Sequence, residues 1–169
     1  MRKCLAIFFL LVCGIFANAD SLIGVEAKYH GYKAKEPVLG NKYTDGTAAV
    51  SARIGAQEDE YRAFISFDLM QDSDYRGANI SQYMINVNLD YFIPVDSNKI
   101  KPFIGAILGY ASYDFGGLEQ TGMTYGAEAG FLVPLSKKID VDLFARYMAT
   151  EIDQVDYYIQ SGIGIQYKF

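Results

Sequence analysis

His30 is the single histidine among 169 residues. An imidazole works as a general base when a nucleophile and an orienting group lie within hydrogen-bond reach. Ser112 and carboxylates of the neighbouring connections could supply those partners. No linear motif ties them to His30, and a histidine at a strand end is more often a solvated polar residue. Asp72 and Asp74, in "QDSDYRGANIS", lack the glycine and glutamate spacing of a calcium loop. Cys4 and Cys13 are the only thiols. No phosphate-cradling glycine motif or basic run occurs. No catalytic residue, metal ligand or cofactor-binding residue is assigned, and nucleic acid is not an expected partner.

The charges that remain fall into a pattern. Lys28, Arg53, Arg62, Arg146 and Lys168 alternate with apolar neighbours, and so do Glu26, Asp68, Asp90, Glu128, Asp140 and Asp142. Five cations against six carboxylates can neutralise one another inside a narrow space, whereas an unpaired buried charge costs several kcal/mol. The same face would suit a solvated surface of mixed sign. Which of the two holds depends on the elements that carry the charges.

The first nineteen residues belong to another purpose. Met1-Arg2-Lys3 is a positive start, "LAIFFLLVCGIFA" is an uncharged run of 13 residues, and "ANA" places small residues before Asp20. This is the build of a cleaved signal peptide, and the run is too short for the ~20 residues of a spanning helix. Residues 1–19 are therefore expected to leave, and 20–169 to form one domain. Formal net charge goes from −5 to −7, and both cysteines go with the leader. A lipidated Cys13 would want a small residue where Val12 stands.

From Asp20 onward the periodicity is two, with no clear amphipathic helix. Eight runs show it: "LIGVEAKYH", "TAAVSARIGAQ", "YRAFISFDLM", "QYMINVNLDYFI", "KPFIGAILGYASYD", "GMTYGAEAGFLV", "IDVDLFARYMA" and "YYIQSGIGIQYKF". Each is near the ~9–11 residues of a tilted membrane strand. Longer connections, led by 31–46 and 71–81, alternate with shorter ones, as between the two rims of a membrane barrel. Pro94, Pro102 and Pro134 sit at strand ends, where a missing N–H does least harm. The fifth run, 102–114, is apolar or small on both faces, so its facing stays open.

A soluble barrel turns its apolar face inward and a membrane barrel turns it outward. The aromatic residues favour the second. Tyr61, Tyr91, Phe131, Tyr167 and Phe169 lie near the short-turn rim. Tyr29, Phe67, Tyr83, Tyr113, Tyr125, Tyr147 and Tyr157 lie near the long-loop rim. Alanine, valine, isoleucine and leucine fill the space between, giving two interfacial girdles around an aliphatic band. Glycines such as Gly126, Gly130, Gly162 and Gly164 suit a narrow interior. The expected fold is all-β: an eight-stranded antiparallel up-and-down transmembrane barrel, its first strand pairing the last because strands in lipid cannot leave backbone groups unpaired.

The signal peptide ending in "ANA", the strand "KPFIGAILGY", the hairpin "GFLVPLSKKIDVDLFARYM" and the terminal "IGIQYKF" resemble the small eight-stranded outer-membrane barrels of Gram-negative bacteria. These include the OmpA-type transmembrane domain and the opacity-type surface proteins. The resemblance covers Asp20 to Phe169. It implies that Ile163, Ile165, Tyr167 and Phe169 match the terminal signal read by the outer-membrane assembly machinery. It also implies an outer-membrane location, with contacts to membrane lipid and lipopolysaccharide.

The leading expectation is a non-enzymatic, monomeric surface barrel that offers 31–46 and 71–81 to an extracellular ligand, since loops on a rigid scaffold carry function. A narrow porin-like channel is the alternative, though eight strands leave an interior that side chains just fill. A soluble lipocalin-like ligand binder and a lipid A-modifying barrel enzyme using His30 stand behind it.

Overall fold

The computed structural model describes residues 19–35, 40–70, 73–75, 78–95 and 99–169. The expected signal peptide, except Ala19, lies outside them, as does Asp72. The strands are β1 (Asp20–Lys35), β2 (Lys42–Gln57), β3 (Tyr61–Met70), β4 (Ser73–Tyr75), β5 (Ala78–Phe92), β6 (Lys101–Phe115), β7 (Leu118–Pro134), β8 (Ile139–Thr150) and β9 (Val155–Lys168). Every pairing is antiparallel. β4 is a three-residue strand added to the upper part of β5. The other eight form the wall, and β1 closes on β9 from Leu22 beside Lys168 to Ala34 beside Val155.

The strand alternation settles which face is outside. On β1, Ile23, Val25 and Tyr29 are exposed while Leu22, Glu26, Lys28 and His30 are buried. β3 repeats this, with Ile65, Phe67 and Leu69 exposed and Arg62, Ser66 and Asp68 at 0%. A wall that buries arginine and exposes isoleucine is built for a hydrocarbon solvent, where closure leaves no strand edge unpaired. β6 follows the same rule. Ile104, Leu108 and Tyr110 face out, and Phe103, Ile107 and Ala111 face in. This fixes the facing that the sequence left open, and it corrects one girdle position. Tyr110 is the outward ring, and Tyr113 is fully buried inside.

The strands are longer than a bilayer requires, up to 17 residues in β7 against ~9–11. The surplus corrects the expected loops. Gly31–Lys35 pairs with Lys42–Gly46, residue for residue, so only 36–41 connects β1 to β2. Within 71–81, Ser73–Tyr75 pairs with Ala78–Ile80. The cause is a reversal of the pattern at Gly31. Above it Tyr32 and Ala34 are buried, while Lys33 and Lys35 on the other phase are partly exposed. A strand that changes from apolar-out to polar-out has left lipid for water, although its inner row continues unbroken. The connection between β6 and β7 is a two-residue turn, Gly116–Gly117, with φ of 60° and 91°. Glycine reaches that left-handed region without a Cβ penalty. The connection at 93–100 is longer than expected and lies at the opposite rim.

Candidate functional site

Inside the wall the eleven charged residues form paired groups. Lys28 Nζ lies 2.8 Å from Asp68 Oδ2 and 3.2 Å from Glu26 Oε2. Arg53 donates to Glu26 at 3.0 Å and to both oxygens of Asp142 at 2.9 and 3.0 Å. Arg62 donates to Asp90 and Asp142, each at 2.8 Å. Arg146 reaches Glu128 at 2.8 Å and Glu26 at 2.9 Å. Lys168 meets Asp140 at 3.0 Å. β1, β2, β3, β5, β7 and β8 all contribute to the connected part of this network. Only Lys168 has an appreciably exposed side chain, at 16%. Taking so many ions from water is tolerable because every cation meets at least one carboxylate.

Aromatic rings hold the network from below. The Arg62 guanidinium lies 4.9–5.9 Å from the rings of Phe64, Phe92 and Phe103, and that of Arg146 lies 4.0 Å from Phe144. These are cation–π distances. Phe92, Phe103, Leu132 and Phe144 form a buried apolar layer on the side of the 93–100 connection.

A polar layer lies above the ions. His30, expected as a solvated rim residue, is instead fully buried. Its Nδ1 accepts from Gln160 at 2.9 Å, and its Nε2 faces Gln82 Oε1 at 3.3 Å. One bond accepted and one donated is the pattern of a neutral imidazole. Ser112 donates to Glu119 at 2.7 Å, so no base–nucleophile pair joins it to His30. Above this layer Tyr32, Tyr43, Tyr113 and Tyr158 pack with Met84, Met148, Ile80, Ile152 and Val155 into a larger apolar cluster. The hydroxyls of Tyr43 and Tyr113 hydrogen-bond. The lumen is thus filled in layers: phenyl rings, ions, amides with one imidazole, then tyrosines.

The strand extensions carry charge outside that tyrosine layer. Lys33, Lys35 and Lys42 project from β1 and β2. Asp156 takes Lys42 at 2.9 Å and Lys35 at 3.6 Å. Its carboxyl is held below the usual range, first by the hydrogen bond from Lys42. Asp114 and Glu119 lie on β6 and β7, across the barrel from β1 in the strand order.

Of the girdle residues, Tyr29, Tyr61, Phe67, Tyr83, Tyr125, Phe131 and Tyr147 are exposed on the outer wall, and Tyr91 and Tyr157 are partly so. Tyr91 packs at a tilt against Tyr61, and Tyr157 against Tyr147. Ile163, Ile165, Tyr167 and Phe169 line one outward row of the closing strand, with the Tyr167 and Phe169 rings stacked at 6.4 Å. Among the described residues no group of histidine, cysteine, aspartate or glutamate could hold a metal ion. The sequence pattern gave no sign of the inner tyrosine layer or of the amide partners of His30, although Gln82, Asn86 and Gln160 already stood on the polar phase of their strands.

No family model matches the chain, and no curated protein matches it in sequence. Solved structures do match in shape. Neisserial surface protein A superposes with a TM-score of 0.72 at 20% identity, covering 88% of this chain and 97% of that one. Outer membrane protein H from P. aeruginosa gives 0.61 at 24%, covering 89% and 100%. Ail, the attachment invasion locus protein of Yersinia pestis, in complex with the heparin analogue sucrose octasulfate, gives 0.56 at 14%, covering 89% and 99%. Identities this low speak for architecture, and with the outward aliphatic wall they establish that the chain has the fold of the small eight-stranded outer-membrane β-barrels.

Proposed function

We propose that the chain is an integral outer-membrane protein that acts through its extracellular extensions and conducts nothing. One observation carries this reading: among the described residues the inward side chains form buried layers along the barrel, while the β1–β2 and β6–β7 strand pairs continue past the outer girdle with a polar outer face. Packed layers of phenylalanine, ion pairs and tyrosine leave no continuous aqueous path, and eight strands enclose too little space for one. The extensions are the part of the molecule available to a ligand. Their lysines stand on β1 and β2, where Asp156 of β9 pairs with Lys35 and Lys42, and Asp114 and Glu119 stand on β6 and β7, so an anionic surface ligand would meet the β1–β2 wall, with Lys33 foremost. A sulfated sugar, of the kind carried by the Ail complex, has the matching charge. Membrane lipid and lipopolysaccharide would contact the aliphatic wall and the girdles. The assembly machinery would read the outward row ending at Phe169.

Planar-bilayer recording and retention on a sulfated-polysaccharide column test this together. The wild-type protein should give no discrete conductance steps. The triple variant Lys33→Gln, Lys35→Gln, Lys42→Gln should elute at lower salt than wild type. Reproducible single-channel steps, or equal elution of the two proteins, would overturn the respective halves of the proposal.

A further inference from the structure

Among the described residues, the charges enclosed in the lumen include one carboxyl more than cations, Lys101 over Phe92 lying at the rim with a side chain 30% exposed and Asp59 beside it. Lys28, Arg53, Arg62, Arg146 and Lys168 face Glu26, Asp68, Asp90, Glu128, Asp140 and Asp142, and all six carboxyl groups lie in residues no more than 3% exposed. His30 is neutral by its hydrogen bonds and supplies no further cation. An uncompensated carboxylate at that depth would be costly.

The place of the excess can be read from the contacts. Asp90 on β5, Gly105 on β6 and Glu128 on β7 stand in one row of the wall. Gly105 has no side chain to separate its neighbours, and a Cβ there would collide with Asp90 Oδ1 and crowd Glu128. Asp90 Oδ1 and the Glu128 side chain thus converge on the space that Cβ would fill, with Glu128 Cγ 3.0 Å from it and the oxygen closer still. Each has one oxygen on an arginine, Asp90 Oδ2 on Arg62 and Glu128 Oε2 on Arg146. The other oxygens, Asp90 Oδ1 and Glu128 Oε1, have no donor. Two ionised carboxylates cannot donate to one another, so their contact is favourable only if one carries a proton.

We infer that Asp90 and Glu128 form a proton-binding site, holding a single proton between Asp90 Oδ1 and Glu128 Oε1 at neutral pH. That one proton balances the eleven enclosed charges and satisfies these two oxygens; Asp68 Oδ1 and Asp140 Oδ1 also lack a donor, but no second carboxyl converges on either through a glycine gap. The surrounding charges are Arg62 from β3, Arg146 and Asp142 from β8, Arg53 from β2, and Glu26 and Lys28 from β1. β6 supplies only Gly105 to this row, and the nearby polar group of β9 is the amide of Gln166. The site is a carboxylic acid–carboxylate pair of the kind that takes up its proton as the barrel closes. The proposal does not depend on what the extracellular extensions bind.

Infrared spectroscopy of the folded protein in D2O at neutral pH tests it directly. The wild type should show the carbonyl stretch of one protonated carboxyl, and that band should be absent from both Asp90→Asn and Glu128→Gln. Each amide replaces the proton as donor to the remaining carboxylate, so each variant should fold. Stability supplies a second reading. The pair binds a proton in the folded state that the unfolded chain releases above about pH 4, so wild-type stability relative to Asp90→Asn should fall as pH rises. The folding constant should change by about tenfold per pH unit until the folded pair itself ionises. A wild-type spectrum without the band overturns the inference, as does a band that persists in both variants. A wild-type stability that tracks sodium or potassium at constant ionic strength, without the band, would assign the site to a metal cation instead.

Discussion

Replacing Lys28 by methionine tests whether the lumen is dry. Lys28 and Asp68 have side chains with no exposed surface and are 2.8 Å apart. Methionine fills most of the lysine stem and removes only the charge. Asp68 would keep an amide contact from Asn86 at 3.0 Å and a weaker one from Gln160 at 3.5 Å, but no cation. Breaking a buried pair by removing one partner costs about 3–5 kcal/mol, whereas removing both partners together is often close to neutral. Lys28→Met should therefore lower the folding constant by roughly 10²–10⁴-fold. Asp68→Asn should do much the same, because Lys28 would retain only Glu26, which Arg53 and Arg146 already occupy. The double variant should return to within about 1–2 kcal/mol of wild type. Urea titration in detergent micelles, read by the mobility of unboiled samples on a gel, supplies the midpoints. Single variants within about 1 kcal/mol of wild type would refute the reasoning. So would a double variant as unstable as the sum of the singles. Either result would mean that water reaches the pair and screens it, which would also reopen the channel reading.

Gly55→Ala should sharply reduce the heat-modifiable, folded fraction. Its Cβ would overlap the Ala63 carbonyl oxygen and press on the Phe64 backbone, and backbone cannot yield without shifting the β2–β3 register. Phe169→Ser should lower the membrane-inserted yield in cells and leave refolding into micelles unchanged, since the ring is 63% exposed beyond the last strand. Equal losses in both assays would show a structural role instead. Lys42→Gln should raise the titration midpoint of Asp156 toward that of an ordinary aspartate, measured by carboxyl NMR. The Asp156 carboxyl is depressed in the folded state, so its contribution is present above the ordinary aspartate range and lost as pH falls through the depressed value. For so exposed a pair it should be worth less than about 1 kcal/mol.

Much of the wall was legible in the sequence because a period of two survives any change of environment. Ile65 and Arg62 fall on opposite phases of β3 whatever solvent surrounds them, and the near-balance of charge already suited an enclosed space. The extensions were not legible for the same reason. Above Gly31 the strand keeps its period but exchanges the polarity of its faces, and a stretch such as "GYKAK" then reads as a polar loop. β6 shows the difficulty in one strand. Gly105 and Gly109 sit on its inner phase and mark neither face, while Tyr110 and Tyr113, three residues apart, fall on opposite phases. His30 was misplaced because its partners Gln82 and Gln160 come from β5 and β9, and no spacing along β1 announces them. The shared position of Asp90 and Glu128 depends on Gly105, whose meaning lies in what it lacks.

The seam between β1 and β9 also bears on how this molecule comes into being. Leu22 pairs with Lys168, which lies on the ninth strand, far along the chain. Until they meet, each partly inserted intermediate would carry two open strand edges into hydrocarbon, where unpaired amides find no solvent. Contacts so distant in sequence form slowly. Insertion and closure are thereby bound into a single event, and a defective variant should be lost as missing product rather than accumulate half-built in the membrane.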